Sequence, residues 1–160
     1  MKTAFKPLET KESKILILGA MPDRRTLAMQ QYYGQAGNQF WKIMFILFNK
    51  PFTSNYSRRV ELLQQNNIAL WDVLSHCEIK NTEDGNIIKE VPNSFKSFYK
   101  THPNIKTVIF TSVMAEKFYY KYVGKSAKRD YLLFPSPSGS NTWQNFHQKL
   151  KHWKTILDYL

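Results

Sequence analysis

Three short segments carry the residue types that could do chemistry: GAMPD (19–23), YYGQAGNQFW (32–41) and PSPSGSN (135–141). Asn38 has an amide that can donate and accept at once, so it could orient a water or read a flat polar ligand. At a helix start it is equally an ordinary N-cap, and the residues alone favour that plainer role. Tyr33, beside small residues, suits a pocket wall for a flat ring. Asp23 follows Pro22 with Arg24 and Arg25 beside it. A carboxylate there could activate water or stabilise a cation, or could simply pair with an arginine. Ser136, Ser138 and Ser140, with the amides around Gly139, offer donors beside a helix N-terminus, where a phosphate binds well. Pro135 and Pro137 stiffen that loop, and a proline-rich turn with a normal cap is the alternative. Asp72 reads as a buried hydrogen-bond hub.

Several chemistries are disfavoured. Cys77 is the single cysteine and His76 is adjacent to it, the wrong geometry for a nucleophilic dyad. Histidines 76, 102, 147 and 152 have no metal-ligand spacing, so no metal is expected. The glycine-rich dinucleotide fingerprint and the P-loop are both missing. EKFYYKYVGKSAKR (116–129) reads as an amphipathic helix first and a DNA-facing basic patch second.

The elements that must position these groups are legible from apolar patterning. KILILG (14–19), IALWDV (68–73), TVIFTS (107–112) and YLLFPS (131–136) are short continuous apolar runs, as in strands buried on both faces. Helical patterns lie at 38–49, 57–67, 94–103 and 114–124, the last ending at Gly124, suited to a left-handed cap. A final helix carries Trp143, Phe146, Leu150, Trp153, Leu157 and Leu160 at three- and four-residue steps, with Asn141 as its expected N-cap and Gln144 completing the box. Segments 20–37 and 75–93 read as irregular. The β, α alternation predicts an α/β fold in one domain over 1–160: a three-layer α/β/α sandwich around a four-stranded, mainly parallel sheet. Sites in such sheets lie at the carboxyl ends of the strands.

Charge narrows the partner. The 160 residues carry 23 Lys plus Arg against 12 Asp plus Glu, a formal net charge of +11. That surplus attracts polyanions, nucleic acid before a membrane surface. The 15% aromatic content suits base stacking. Neither a signal peptide nor a transmembrane run is apparent, so a soluble cytoplasmic protein is expected, and nothing demands more than a monomer.

Taken together, LGAMP (18–22), YYGQAGNQFW and PSPSGSN resemble the uracil-DNA glycosylase superfamily, most closely its mismatch-specific and hypoxanthine-DNA glycosylase branches. Those branches carry Gly-x-x-Pro after the first strand, then an aromatic pair, then Asn-x-Phe-Trp opening a helix. ALWDVLSHCE (69–78), VPNSF (91–95) and THPNIKTVIF (101–110) are similar to the hypoxanthine branch, so the resemblance spans nearly the whole chain. It implies a DNA repair enzyme acting on DNA that contains deaminated bases. Such an enzyme flips out uracil or hypoxanthine and hydrolyses its N-glycosidic bond, leaving an abasic site, with no cofactor. By the same resemblance Tyr33 is the stacking platform and Gly34 and Ala36 leave the floor open. Asn38 binds water or base, with Asp23 a second catalytic candidate. Ala20, Met21, Pro22 and Thr111 line the base pocket, and Ser136, Pro137, Ser138, Gly139 and Ser140 hold DNA.

The chain also departs from the family pattern. Ala20 and Met21 stand where other branches place an amide or carboxylate that holds water. Thr111–Ser112 replaces Asn-Gly, Phe134 replaces a histidine, and Asp23 replaces a glycine. A slow glycosylase, a changed substrate, or a lesion-binding protein without turnover all fit these departures. A small-molecule nucleotide-binding domain is a further alternative with no phosphate loop behind it.

Overall fold

The computed structural model describes residues 2, 3, 5–79 and 87–160. Its centre is a sheet of four parallel strands, β2 (Ile15–Gly19), β3 (Ile68–Asp72), β6 (Thr107–Phe110) and β7 (Asp130–Leu133), in the order β3-β2-β6-β7. Alternation of side chains sends Ile15, Ile17, Ile68, Leu70 and Ile109 into one core and Leu16, Leu18, Ala69, Val108 and Phe110 into another. Both faces are therefore apolar, which is why each strand reads as an unbroken hydrophobic run.

Helices cover both faces. Helix α2 (Phe40–Leu47), α3 (Tyr56–Gln65) and α6 (Phe146–Trp153) pack on the first core. Helices α4 (Phe95–Thr101) and α5 (Val113–Tyr122) pack on the second. This is the expected three-layer α/β/α arrangement. Gly124 follows α5 at φ +81°, as its position implied.

Three local readings of the sequence are corrected. The stretch 20–37 contains a helix, α1 (Arg24–Met29), capped by Asp23. The stretch 75–93 contains strands β4 (Leu74–Ile79) and β5 (Ile87–Pro92), which pair antiparallel and, with β1 (Lys2–Thr3), form a second sheet. Their half-exposed surface gave no continuous apolar run to detect; residues 80–86 of that stretch lie outside the described residues. The last helix starts four residues later than expected. Asn145, not Asn141, caps it, in a reciprocal box with Gln148, and it tightens into a 3-10 segment at Lys154–Tyr159. Trp143, 94% exposed, stands outside the helix, and Leu157 and Leu160 are also exposed. Asn141 instead braces the preceding loop, its Nδ2 donating to Ser136 O at 3.0 Å.

Strands β3 and β6 flank β2 on opposite sides, so the chain reverses its direction of travel across the sheet there. A crevice opens at the carboxyl ends of strands at such a point. Gly19, the last residue of β2, is in register with Asp72, the last of β3.

Candidate functional site

A cavity of about 590 Å3 occupies that crevice. Ala20, Met21, Pro22 and Asp23 form one wall, Tyr33 and Asn38 another, Thr111 part of a third, and Ser136, Pro137, Ser138, Gly139 and Ser140 the rim. Every site residue expected from the sequence therefore lines one cavity. Gly37 and Gln35 line it too, whereas Gly34 packs against Gln31 and Met29 and Ala36 is not among the lining residues.

The two adjacent tyrosines divide their work. Tyr32 is an anchor: its hydroxyl donates to Lys6 O (2.7 Å), its amide donates to the Tyr56 hydroxyl (3.0 Å), and its carbonyl accepts from Trp41 Nε1 (2.7 Å). With Tyr32 pinned, Tyr33 is held at φ +52°. A left-handed backbone costs a residue with a side chain roughly 1–2 kcal/mol, and the three bonds on its neighbour offset that cost. The conformation turns the Tyr33 ring onto Phe40, centroids 4.1 Å apart and planes 27° apart. Burial and the nearby Asp72 push the Tyr33 hydroxyl well above its ordinary pKa, an effect that the Thr111 side chain partly offsets. Thr111 Oγ1 in turn donates to Leu18 O at 3.2 Å.

Asn38 lines the cavity and lies one residue before Gln39, the N-cap of α2, so the expected cap falls one residue later. Its Oδ1 accepts from Phe40 N (2.9 Å) at the start of α2, which fixes the amide and leaves Nδ2 free to donate. Asp23 has a defined structural job: Oδ1 accepts from Thr26 N (2.8 Å) and Oδ2 accepts from Gln35 Nε2. Both carboxylate oxygens are thus engaged, at an exposed position.

Asp72 is the residue that sequence reasoning undervalued. It is 6% exposed, lies on the cavity floor, and its Oδ2 has no hydrogen-bond partner among the described residues. A β-carbon at Gly19 would lie 2.8 Å from Asp72 Oδ1, so the carboxyl occupies the space that glycine leaves at the end of β2. Burial raises its pKa to about 7, because a low-dielectric site with no cation disfavours the charged form. A hydrogen-bond hub would have both oxygens engaged; Asp72 Oδ2 is instead buried without a partner among the described residues, in a residue that lines the cavity. The usable signal was the pairing of Gly19 with Asp72 at two strand ends, visible only once the register is known.

The rim is fastened to the body by α6. Trp153 Nε1 donates to Pro135 O (2.9 Å) and Lys149 Nζ to Ser138 O (3.2 Å), one helical turn apart. Gln39 N donates to Pro137 O (2.8 Å), tying the rim to the segment that carries Asn38. Phe134, at the position of the family histidine, is buried and packs edge-on against Trp153. Among the described residues no group of three or more His, Cys, Asp or Glu could hold a metal, and no helix is long and apolar enough to cross a membrane.

Comparison with known proteins agrees with this geometry. The family model of the uracil DNA glycosylase superfamily matches residues 6–160. A hypoxanthine DNA glycosylase of Methanosarcina barkeri is 32% identical over 141 residues, 88% of each chain. A hypoxanthine DNA glycosylase of Methanosarcina acetivorans is 28% identical over 142 residues, 88% of this chain and 89% of its own. A solution NMR structure from M. acetivorans, described as a candidate uracil DNA glycosylase, superposes with a TM-score of 0.83 at 25% identity, covering 97% of this chain and 95% of that one. With a cavity walled by the residues of its motifs and a family match over nearly its full length, the chain belongs to the uracil DNA glycosylase superfamily.

Proposed function

We propose that the protein is a monofunctional DNA glycosylase that flips a deaminated base, hypoxanthine first and uracil second, into the cavity and hydrolyses its N-glycosidic bond. The observation that carries this reading is the convergence of Tyr33, Asn38, Asp72 and Thr111 on one cavity beneath a serine-rich rim. The two Methanosarcina relatives named as hypoxanthine DNA glycosylases favour hypoxanthine over uracil.

In this mechanism the bond between C1′ and the base nitrogen breaks with its electron pair leaving on the base. The sugar becomes cationic, and water adds to C1′ and releases a proton. The protein must offer donors where negative charge collects on the base. Asn38 Nδ2 is one such donor. Asp72, in its neutral form, is a second, since a carboxylic acid whose pKa is raised by burial can donate a hydrogen bond. Tyr33 stacks on the extruded ring, and Ser136–Ser140 receives the flanking backbone. Asp72 compensates for the apolar residues at Ala20 and Met21, which favours turnover over lesion binding alone. Asp23, with both oxygens engaged, shapes the entrance rather than the chemistry.

The test is single-turnover cleavage of oligonucleotides bearing hypoxanthine, uracil, xanthine or no lesion, single-stranded and paired, with alkali to break abasic sites. Cleavage at hypoxanthine is expected. Lesion-dependent binding with no cleavage of any strand would instead establish a binding protein on this fold.

A further inference from the structure

Among the described residues, the interior holds one ammonium group with no carboxylate beside it. Lys149, on α6, is 2% exposed, and none of the salt bridges among the described residues involves it. Its Nζ donates to Gln39 Oε1 at 2.9 Å and to Ser138 O at 3.2 Å. Burying a charge without a counter-ion is unfavourable, and burial correspondingly lowers the Lys149 pKa. As a clamp the charge is superfluous, since Trp153 already grips the rim from the same helix face and Gln39 N grips it from the other side.

The geometry of one peptide unit shows what the charge could serve. The carbonyl that accepts from Lys149 belongs to Ser138, so the N–H on the same peptide plane is that of Gly139. In a trans peptide the C=O and N–H point in opposite directions. Lys149 therefore pulls on one end of the peptide dipole while the Gly139 N–H points away from it, at the cavity rim. Among the described residues no hydrogen bond engages that amide. Hydrogen bonds in series polarise one another, so the buried ammonium strengthens an outward-facing donor. The Ser138 and Ser140 hydroxyls lie beside it, 2.9 Å apart. Gly139 is required by the fit: a β-carbon there would lie 2.7 Å from Gly37 O.

We infer that Lys149 is a positioning residue that charges the Ser138–Gly139 peptide, making the rim an anion site for a DNA backbone phosphate, whose negative charge is the counter-ion Lys149 lacks. This rests on the reading that the rim meets DNA.

The experiment compares wild type with Lys149→Met, which keeps the stem and removes the charge. Affinity for a duplex carrying a non-cleavable abasic analogue is measured across salt concentrations, beside the saturating single-turnover rate on a hypoxanthine strand. Lys149→Met should fold at least as stably as wild type and bind about tenfold more weakly. The slope of log affinity against log salt should shrink by about 1, the share of one phosphate, with the saturating rate changed less than about threefold. Lys149→Arg, which keeps the charge, should retain the slope. Unchanged affinity and slope in Lys149→Met would make Lys149 a simple strut and overturn the inference. So would a loss confined to the saturating rate. If Lys149→Met does not fold, Lys149→Gln against Lys149→Arg makes the same comparison. A wild type without salt-sensitive DNA binding would instead refute the reading of the rim, a separate failure.

Discussion

Replacing Asp72 by Asn removes the titratable proton while keeping the shape and a donor. The structure sets the size of the effect. A carboxyl lifted from 3.8 to about 7 by burial corresponds to ~4 kcal/mol of destabilisation once it is ionised. The native state holds this proton more tightly than the unfolded chain. The penalty is therefore absent below pH about 4, grows between about 4 and 7, and stays constant above that. Asp72→Asn should raise the denaturant midpoint at pH 8, by up to the equivalent of that figure, and leave it unchanged at pH 4. Catalysis should show the same proton from the other side. Wild-type single-turnover rates on a hypoxanthine strand should fall as pH rises through 7, because the neutral donor is lost. Asp72→Asn should keep a rate that is flat across that range, and Asp72→Leu should lose on the order of 10²-fold, the scale for one oriented donor. Urea melts and quenched-flow cleavage from pH 5 to 9 provide both readouts. If Asp72→Asn is as slow as Asp72→Leu while both are folded, the reaction needs the carboxylate and the neutral-donor reasoning is wrong.

Asn38→Ala should lower the cleavage rate by about 10²-fold or more, and lose about 1 kcal/mol of stability with the bond to Phe40 N; near-normal turnover would remove Asn38 from the mechanism. Gly139→Ala should force the rim off the 37–39 segment, since its new methyl would meet Gly37 O. The expected result is weaker DNA binding with a modestly lowered melting temperature, as the bond from Gln39 N to Pro137 O is strained or lost, checked by fluorescence anisotropy and calorimetry. Tyr33→Ala should weaken capture of the lesion by about 1–3 kcal/mol, as for a lost stacking partner; equal affinity for lesion and undamaged strands in both proteins would contradict that.

Four apolar runs and the helical patterns between them were enough to read the central sheet, because a strand covered on both faces must be apolar throughout. The identity of the cavity walls was also legible, since the segments at 19–23, 32–41 and 135–141 all sit at strand ends or helix starts. What was not legible depended on contacts between distant residues. Helix α1 is short and polar and rests on its Asp23 cap, so it shows no buried stripe. The start of α6 was misplaced because Asn141 and Asn145 both precede a glutamine by three residues, and only packing distinguishes them: Asn141 is drawn away by Ser136 O.

The same holds for the chemistry. The sequence by itself determined which segments could meet a base, through their aromatic, amide and serine content and their order along the chain. Tertiary structure alone decided the charge states within the site. Asp72 has its pKa raised to about 7 by burial at the strand end that faces Gly19. Lys149 is buried against two neutral acceptors brought from positions 39 and 138. A side chain's preference for its charged or neutral form is set by the dielectric and the partners around it, and these exist only when the chain is folded.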